Sequence, residues 1–150
     1  SLEDYECYLK GRRDYMEVFF DKTYSILKGA KAAVVNSGTA SLEAALIGTP
    51  QMVCWSTSPF TAFIASKILR VMDRIKYVSL GNLIVDRLVF KEFIQDDFTL
   101  DNIMDETERI LCDSDYRQKM LEGYDEIRKT LGHGNASRAF ARDMIERLAK

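Results

Sequence analysis

Two short runs, Lys31-Ala-Ala-Val-Val-Asn36 and Gln51-Met-Val-Cys-Trp55, are apolar without alternation, and between them Leu42, Ala45 and Leu46 fall at helical spacing. A strand with no polar face is buried on both sides, and one joined to the next through a helix pairs with it in parallel. The pattern predicts an α/β fold with a parallel sheet covered by helices. Met16, Val18, Phe19 and Phe20 form a β-type run expected as a first strand, and Lys76-Tyr-Val-Ser-Leu80 is expected as a fourth. Tyr24, Ile26, Leu27 and Ala30 predict a helix from Thr23, Gly48-Thr-Pro50 stops the helix before the Gln51 strand, and Ser58-Pro59 opens a helix to about Met72.

Beyond Asn82 the strand pattern fades. Val89, Phe90, Phe93 and Ile94 suggest a short helix, and Leu100 to Leu111 a longer one capped by Thr99. Asp113-Ser-Asp115 reads as a cap for a helix running from Tyr116 to Leu131. Gly132-His-Gly134 breaks it, and Ala139, Phe140, Met144, Ile145 and Leu148 give a last amphipathic helix. No repeat or linker divides the chain, so a single domain is expected.

With 150 residues, 47% of them apolar, the chain can bury one core. A net charge of −2 lacks the basic footprint of a nucleic-acid binder. The apolar runs fall far short of the roughly 18 residues that span a bilayer. No charged stretch followed by an apolar one opens the chain, so no secretory leader is expected. Cys7, Cys54 and Cys112 are odd in number and widely spaced, and His133 is the single histidine. Neither a disulfide framework nor a metal site is expected, no cofactor is implied, and a reducing compartment fits.

The segment Val34-Val-Asn-Ser-Gly-Thr-Ala-Ser-Leu-Glu43 joins a strand to a helix through small and hydroxyl residues alone. In a parallel sheet that turn sits at the carboxyl edge, where open α/β folds bind ligands. N–H groups at the helix start, with the hydroxyls of Ser37, Thr39 and Ser41, would cradle an anion, and Gly38 lets it approach the main chain. Neither a P-loop nor a G-x-G-x-x-G fingerprint is present. Glu43, one turn after Thr39, would repel a phosphate but accept from the vicinal hydroxyls of a ribose. Cradle and acid together suggest a nucleoside diphosphate. A well-capped helix with an acidic first turn accounts for the same residues equally well.

Taken in series, Asn36 to Pro50, Ser58-Pro-Phe-Thr61, Tyr77-Val-Ser-Leu80, Asn82-Leu-Ile84, Glu92-Phe-Ile-Gln95 and Gly134-Asn-Ala-Ser137 resemble the donor-binding half of GT-B glycosyltransferases. More closely, they resemble the lipid-A-disaccharide synthase family. The resemblance implies an incomplete Rossmann-like donor-side domain followed by C-terminal helices, forming the carboxyl-terminal part of a longer chain. It further implies transfer of 2,3-diacylglucosamine from UDP to 2,3-diacylglucosamine 1-phosphate, giving a β-1,6-linked disaccharide. By position, Ser37, Gly38, Thr39 and Ala40 would hold the diphosphate, Glu43 the ribose, and Asn82 would lie near the donor sugar, with Arg87, Glu92 and Gln95 in the matching segment after it. Gly81 stands where that pattern has Pro, Val85-Asp86 where it has Ala-Gly, and Lys91 where it has Pro.

No residue here offers itself as the catalytic base, which the resemblance assigns to a portion the chain lacks, so the chain alone is expected to be inactive. His133 reads as a loop residue. On the helix after Pro59, Phe60 and Phe63 share an apolar arc beside the cations Lys67, Arg70 and Arg74. Such a face suits an anionic membrane surface or a phosphorylated lipid, or equally a sheet-covering helix with a basic solvent side. The resemblance thus implies a UDP-sugar donor, a lipid acceptor, a homodimer, and a cytoplasmic location peripheral to the inner membrane. Another UDP-GlcNAc-dependent GT-B transferase or epimerase, or a non-catalytic nucleotide-binding module, are the alternatives.

Overall fold

Three strands, β1 (Ala33–Val35), β2 (Gln51–Trp55) and β3 (Glu92–Ile94), pair in parallel in the order β1-β2-β3. The computed structural model describes residues 2–36, 38–57, 76–132 and 144–145. Val35 is level with Val53, and Val53 with Glu92, so all three strands point their carboxyl ends to one edge. β2 lies in the middle, and Gln51 to Cys54 are buried along it, Met52 to Cys54 as their apolar run requires and Gln51 with its Nε2 on the Ser41 carbonyl. Burial pushes the Cys54 thiol above its ordinary pKa.

After a 3-10 turn at Leu2–Tyr5 come α1 (Glu6–Leu9) and α2 (Thr23–Gly29); α3 (Gly38–Ile47) connects β1 to β2. α4 (Leu80–Ile84) precedes β3, and α5 (Leu100–Cys112) and α6 (Ser114–Leu131) follow it. Both later caps work as the sequence predicts: Thr99 Oγ1 accepts from Asn102 N–H at 3.2 Å, and Asp113 Oδ1 from Tyr116 N–H at 2.9 Å. The core joins Met52, Val53 and Cys54 of the sheet to Phe90, Ile110, Met120, Tyr124 and Ile127. Tyr124 meets Phe90 edge-on, ring centroids 6.0 Å apart.

The Gly48-Thr-Pro50 stop is where three helices meet. Gly48, at φ 95°, and Thr49 both donate to the Ala44 carbonyl at 3.0 Å, closing α3 in a left-handed turn. Arg128 of α6 donates to the Ala45 and Leu46 carbonyls at 3.1 Å, placing a cation where the α3 dipole is negative. The Thr49 hydroxyl donates to the Leu27 carbonyl of α2 at 2.7 Å, and the Tyr124 hydroxyl donates to the Thr49 carbonyl at 3.0 Å.

Three expectations about elements need correcting. Met16 to Phe20 form no strand: Met16, Phe19 and Phe20 are well exposed, and no ladder pairs them with β1, whose outer edge has no partner among the described residues. Lys76 to Leu80 is not a strand either, because the Val78 and Ser79 N–H groups donate to the Glu92 carboxylate and Leu80 already opens α4. The segment from Val89 to Ile94 read as a short helix is not helical: its second half is β3, captured by the open edge of β2, with Val53 N–H donating to the Lys91 carbonyl at 2.9 Å. Short apolar runs do not tell helix from strand by periodicity alone. The expected helix from Ser58 to Met72 lies outside the described residues, as does the last amphipathic helix except for Met144 and Ile145, which are helical.

Candidate functional site at the carboxyl edge of the sheet

β1 ends at Val35, and α3 begins at Gly38, so the Asn36 to Ala40 turn lies at the carboxyl edge. First-turn N–H groups of a helix have no carbonyl of their own helix to bond, which leaves those of α3 facing that edge. Ser37 lies outside the described residues; Gly38, Thr39 and Ala40 form the opening turn, with Thr39 exposed and the other two half-buried. Glu43 follows Thr39 by one turn on the same, accessible side of α3 and is itself half-buried. Among the described residues its carboxylate has no hydrogen-bond or ion-pair partner.

Ser41 leaves the expected cradle. It is wholly buried, and its hydroxyl donates back to the Gly38 carbonyl at 2.6 Å, the local bond that serine forms with a carbonyl one turn earlier. Its own carbonyl accepts from Gln51 Nε2 at 2.7 Å, tying α3 to β2.

Asn82 and Glu92 come together, but on each other. Asn82 is fully buried: Oδ1 accepts from Val89 N–H at 2.8 Å, and Nδ2 donates to the Phe90 carbonyl at 2.9 Å and to Glu92 Oε1 at 2.8 Å. Gln95 follows β3 at the carboxyl edge and bonds the main chain of Thr57, just past β2. Arg87 goes elsewhere, since its Nε donates to Glu126 of α6 at 2.8 Å on the amino side of β3. It borders a cavity of about 520 Å³ shared with Arg109, Asp113, Tyr116 and Lys119. There the Tyr116 hydroxyl donates to buried Glu106, and burial above all, then this bond, raises the phenol pKa far above its ordinary value. Phe60, Phe63, Lys67 and Arg70 lie outside the described residues.

Sequence reasoning read Val78-Ser79 as strand and as part of the family pattern but gave it no role at the site, and it passed over Thr57; both flank these contacts. Their partners are 13 or more positions away, so no local pattern marks them. Two departures from the family pattern do find a physical setting. A Cβ at Gly81 would stand 2.8 Å from the Phe90 ring, so the Pro of the pattern would not fit here. Asp86, standing where the pattern has Gly, adopts φ 47°, a left-handed conformation that Asp tolerates better than most residues. Among the described residues no His, Cys, Asp or Glu group could hold a metal ion, and no helix is long and apolar enough to cross a membrane.

An open parallel sheet flanked by helices, with a small-residue turn leading into a helix at its carboxyl edge, is that of a partial Rossmann-like α/β domain. The family described as lipid-A-disaccharide synthetase matches residues 6–143. The chain belongs to that family. It is similar to the lipid-A-disaccharide synthases of Acidobacterium capsulatum, 40% identical over 82% of this chain and 31% of that protein, and of Trichlorobacter lovleyi, 30% identical over 94% and 36%. That of Geobacter sulfurreducens is 32% identical over 87% of this chain and 33% of that protein. The chain thus spans about a third of the length of the curated relatives it matches.

Proposed function

We propose that this chain is the nucleotide-sugar-binding part of a lipid-A-disaccharide synthase, a hexosyltransferase that moves 2,3-diacylglucosamine from UDP to 2,3-diacylglucosamine 1-phosphate. Family membership supports the reaction class. One observation carries the site: Thr39 and Glu43 lie one turn apart on the accessible side of α3, at the carboxyl edge, and Glu43 has no partner of its own among the described residues. In this reading the opening turn of α3 faces the diphosphate and Glu43 accepts from the ribose hydroxyls.

The chemistry follows from charge. Breaking the anomeric bond builds negative charge on the departing UDP, so donors aimed at it stabilise the transition state more than the ground state. The aligned N–H groups of α3 would do this without reorganising. A base for the acceptor hydroxyl and the acceptor site itself belong to the rest of the enzyme. The lipid acceptor, a peripheral position at the membrane and a homodimer belong to the same reading, with family membership as their support.

Calorimetric titration with UDP tests the site. Wild type should bind UDP in the micromolar to millimolar range, and Glu43→Gln should bind it about tenfold more weakly, the loss of one charge-assisted hydrogen bond. The variant should bind 2′,3′-dideoxy-UDP as the wild type does, because the partner hydroxyls are gone. Absence of UDP binding at millimolar concentration, or equal weakening toward both nucleotides, overturns the assignment.

A further inference from the structure

Glu92 opens β3 level with Val53, half-buried. Its Oε2 accepts from Val78 N–H at 2.7 Å; its Oε1 accepts from Ser79 N–H at 3.0 Å, from the Ser79 hydroxyl, and from Asn82 Nδ2 at 2.8 Å. Both carboxylate oxygens are thus engaged by the protein, in charge-assisted bonds of the strong kind. Three residues on, Gln95 holds a left-handed φ of 54°, which turns its side chain onto Thr57. There Oε1 accepts from Thr57 N–H at 2.6 Å and Nε2 donates to the Thr57 carbonyl at 3.4 Å, in effect adding a rung to the β2–β3 ladder.

The loop that Glu92 grips is the one against the opening turn of α3. From the place where a Cβ on Gly38 would stand, the Val78 carbonyl oxygen is 3.7 Å away and Leu80 Cγ 3.9 Å. Without Glu92, two N–H groups and a hydroxyl in this loop lose their acceptor, and nothing of comparable strength among the described residues fixes the loop beside Gly38. A non-glycine residue in the left-handed region costs free energy, and at Gln95 the paired bonds to Thr57 offset it.

We infer that Glu92 and Gln95 are positioning residues rather than ligand contacts: β3 is a rack that fixes the Val78-Ser79 loop against the Gly38 turn and fixes Thr57 at the same sheet edge, and so sets the shape of the anion cradle. The inference rests on the nucleotide reading of that cradle for its effect on binding, but not for its effect on the loops. Neither side chain needs to touch UDP for its loss to weaken UDP binding. A direct contact would instead leave the ligand-free loops unchanged.

Amide hydrogen exchange on the ligand-free chain, together with UDP calorimetry, separates the two. In Glu92→Gln the carboxamide accepts on one side only, so exchange at Val78 or Ser79 should speed up about tenfold while Met52 and Ile127 keep their protection. Gln95→Ala should do the same at Thr57 alone, and Gln95→Glu, which keeps the acceptor for Thr57 N–H, should restore protection there. UDP should bind about five- to tenfold more weakly to Glu92→Gln and Gln95→Ala, and near wild type to Gln95→Glu. Unchanged exchange in the ligand-free variants overturns the proposal whatever UDP does, and faster exchange with unchanged UDP affinity overturns the link to the cradle. If wild type binds no UDP, the nucleotide reading falls separately, and the exchange results still decide whether β3 holds the loops. Should Glu92→Gln unfold, the two Gln95 variants, at the sheet edge, carry the same comparison.

Discussion

Gly123 on α6 and Gly38 on α3 occupy opposite kinds of surroundings. A Cβ at Gly123 would stand 2.4 Å from Val89 Cγ1 and 3.1 Å from Cγ2, whereas at Gly38 the nearest atom among the described residues is the Val78 carbonyl oxygen at 3.7 Å, ordinary contact. The first glycine is demanded by the protein's own packing: the helix presses on the segment before β3, and no side chain fits between. The second is not. Gly38 opens the helix, and a methyl group there would have room among the described residues, so none of them demands glycine at that position. Under the nucleotide reading proposed above, that room lets the diphosphate approach the main chain at the opening of α3.

The contrast can be broken in three places. Asn82→Ala strikes the packed region hardest, since it orphans the buried Val89 N–H and Phe90 carbonyl and removes one donor to Glu92. A loss of about 3 kcal/mol or more is expected, read as a fall in the urea midpoint. Gly123→Ala comes next: overpacking against Val89 should cost about 1–3 kcal/mol in the same measurement. Gly38→Ala should shift stability by less than about 0.5 kcal/mol while weakening UDP about tenfold in calorimetry. If Gly38→Ala instead destabilises as Gly123→Ala does, or leaves UDP binding intact, the two glycines do the same work and the distinction fails.

What the sequence makes legible divides along similar lines. β2 and α3 are written locally: Met52 to Trp55 is one apolar run, and Gly48-Thr-Pro50 marks the end of the helix before it. Thr99 and Asp113 cap by bonds spanning three residues, so their type and spacing suffice. β3 is not written that way, because Glu92-Phe-Ile94 is too short to show a period and is a strand through the free edge of β2. Lys76 to Leu80 has strand-like residues but gives its N–H groups to a carboxylate 13 or 14 positions away.

The candidate site shows the same limit. Thr39 and Glu43 share a helix face because helical spacing requires it, and that was readable. Ser41 has the right chemistry for a cradle but turns its hydroxyl inward to Gly38, a choice between two satisfied states that sequence alone does not reveal. Asn82, Glu92, Gln95 and Arg87 stand out by their resemblance to a family pattern, yet how their polar atoms are spent depends on the tertiary fold. Arg87 in particular is drawn to Glu126, 39 residues on.

The junction at Gly48 and Thr49 is one of two anchors that make α3 a strut. Its carboxyl end is bolted by Arg128 and, through Thr49, to α2 and α6, and near its amino end the Ser41 carbonyl is tied to Gln51 of β2. A rod pinned near both ends keeps its opening turn at a set height over the rim of the sheet. Whatever meets that turn meets a surface whose position is dictated by the buried packing beneath it.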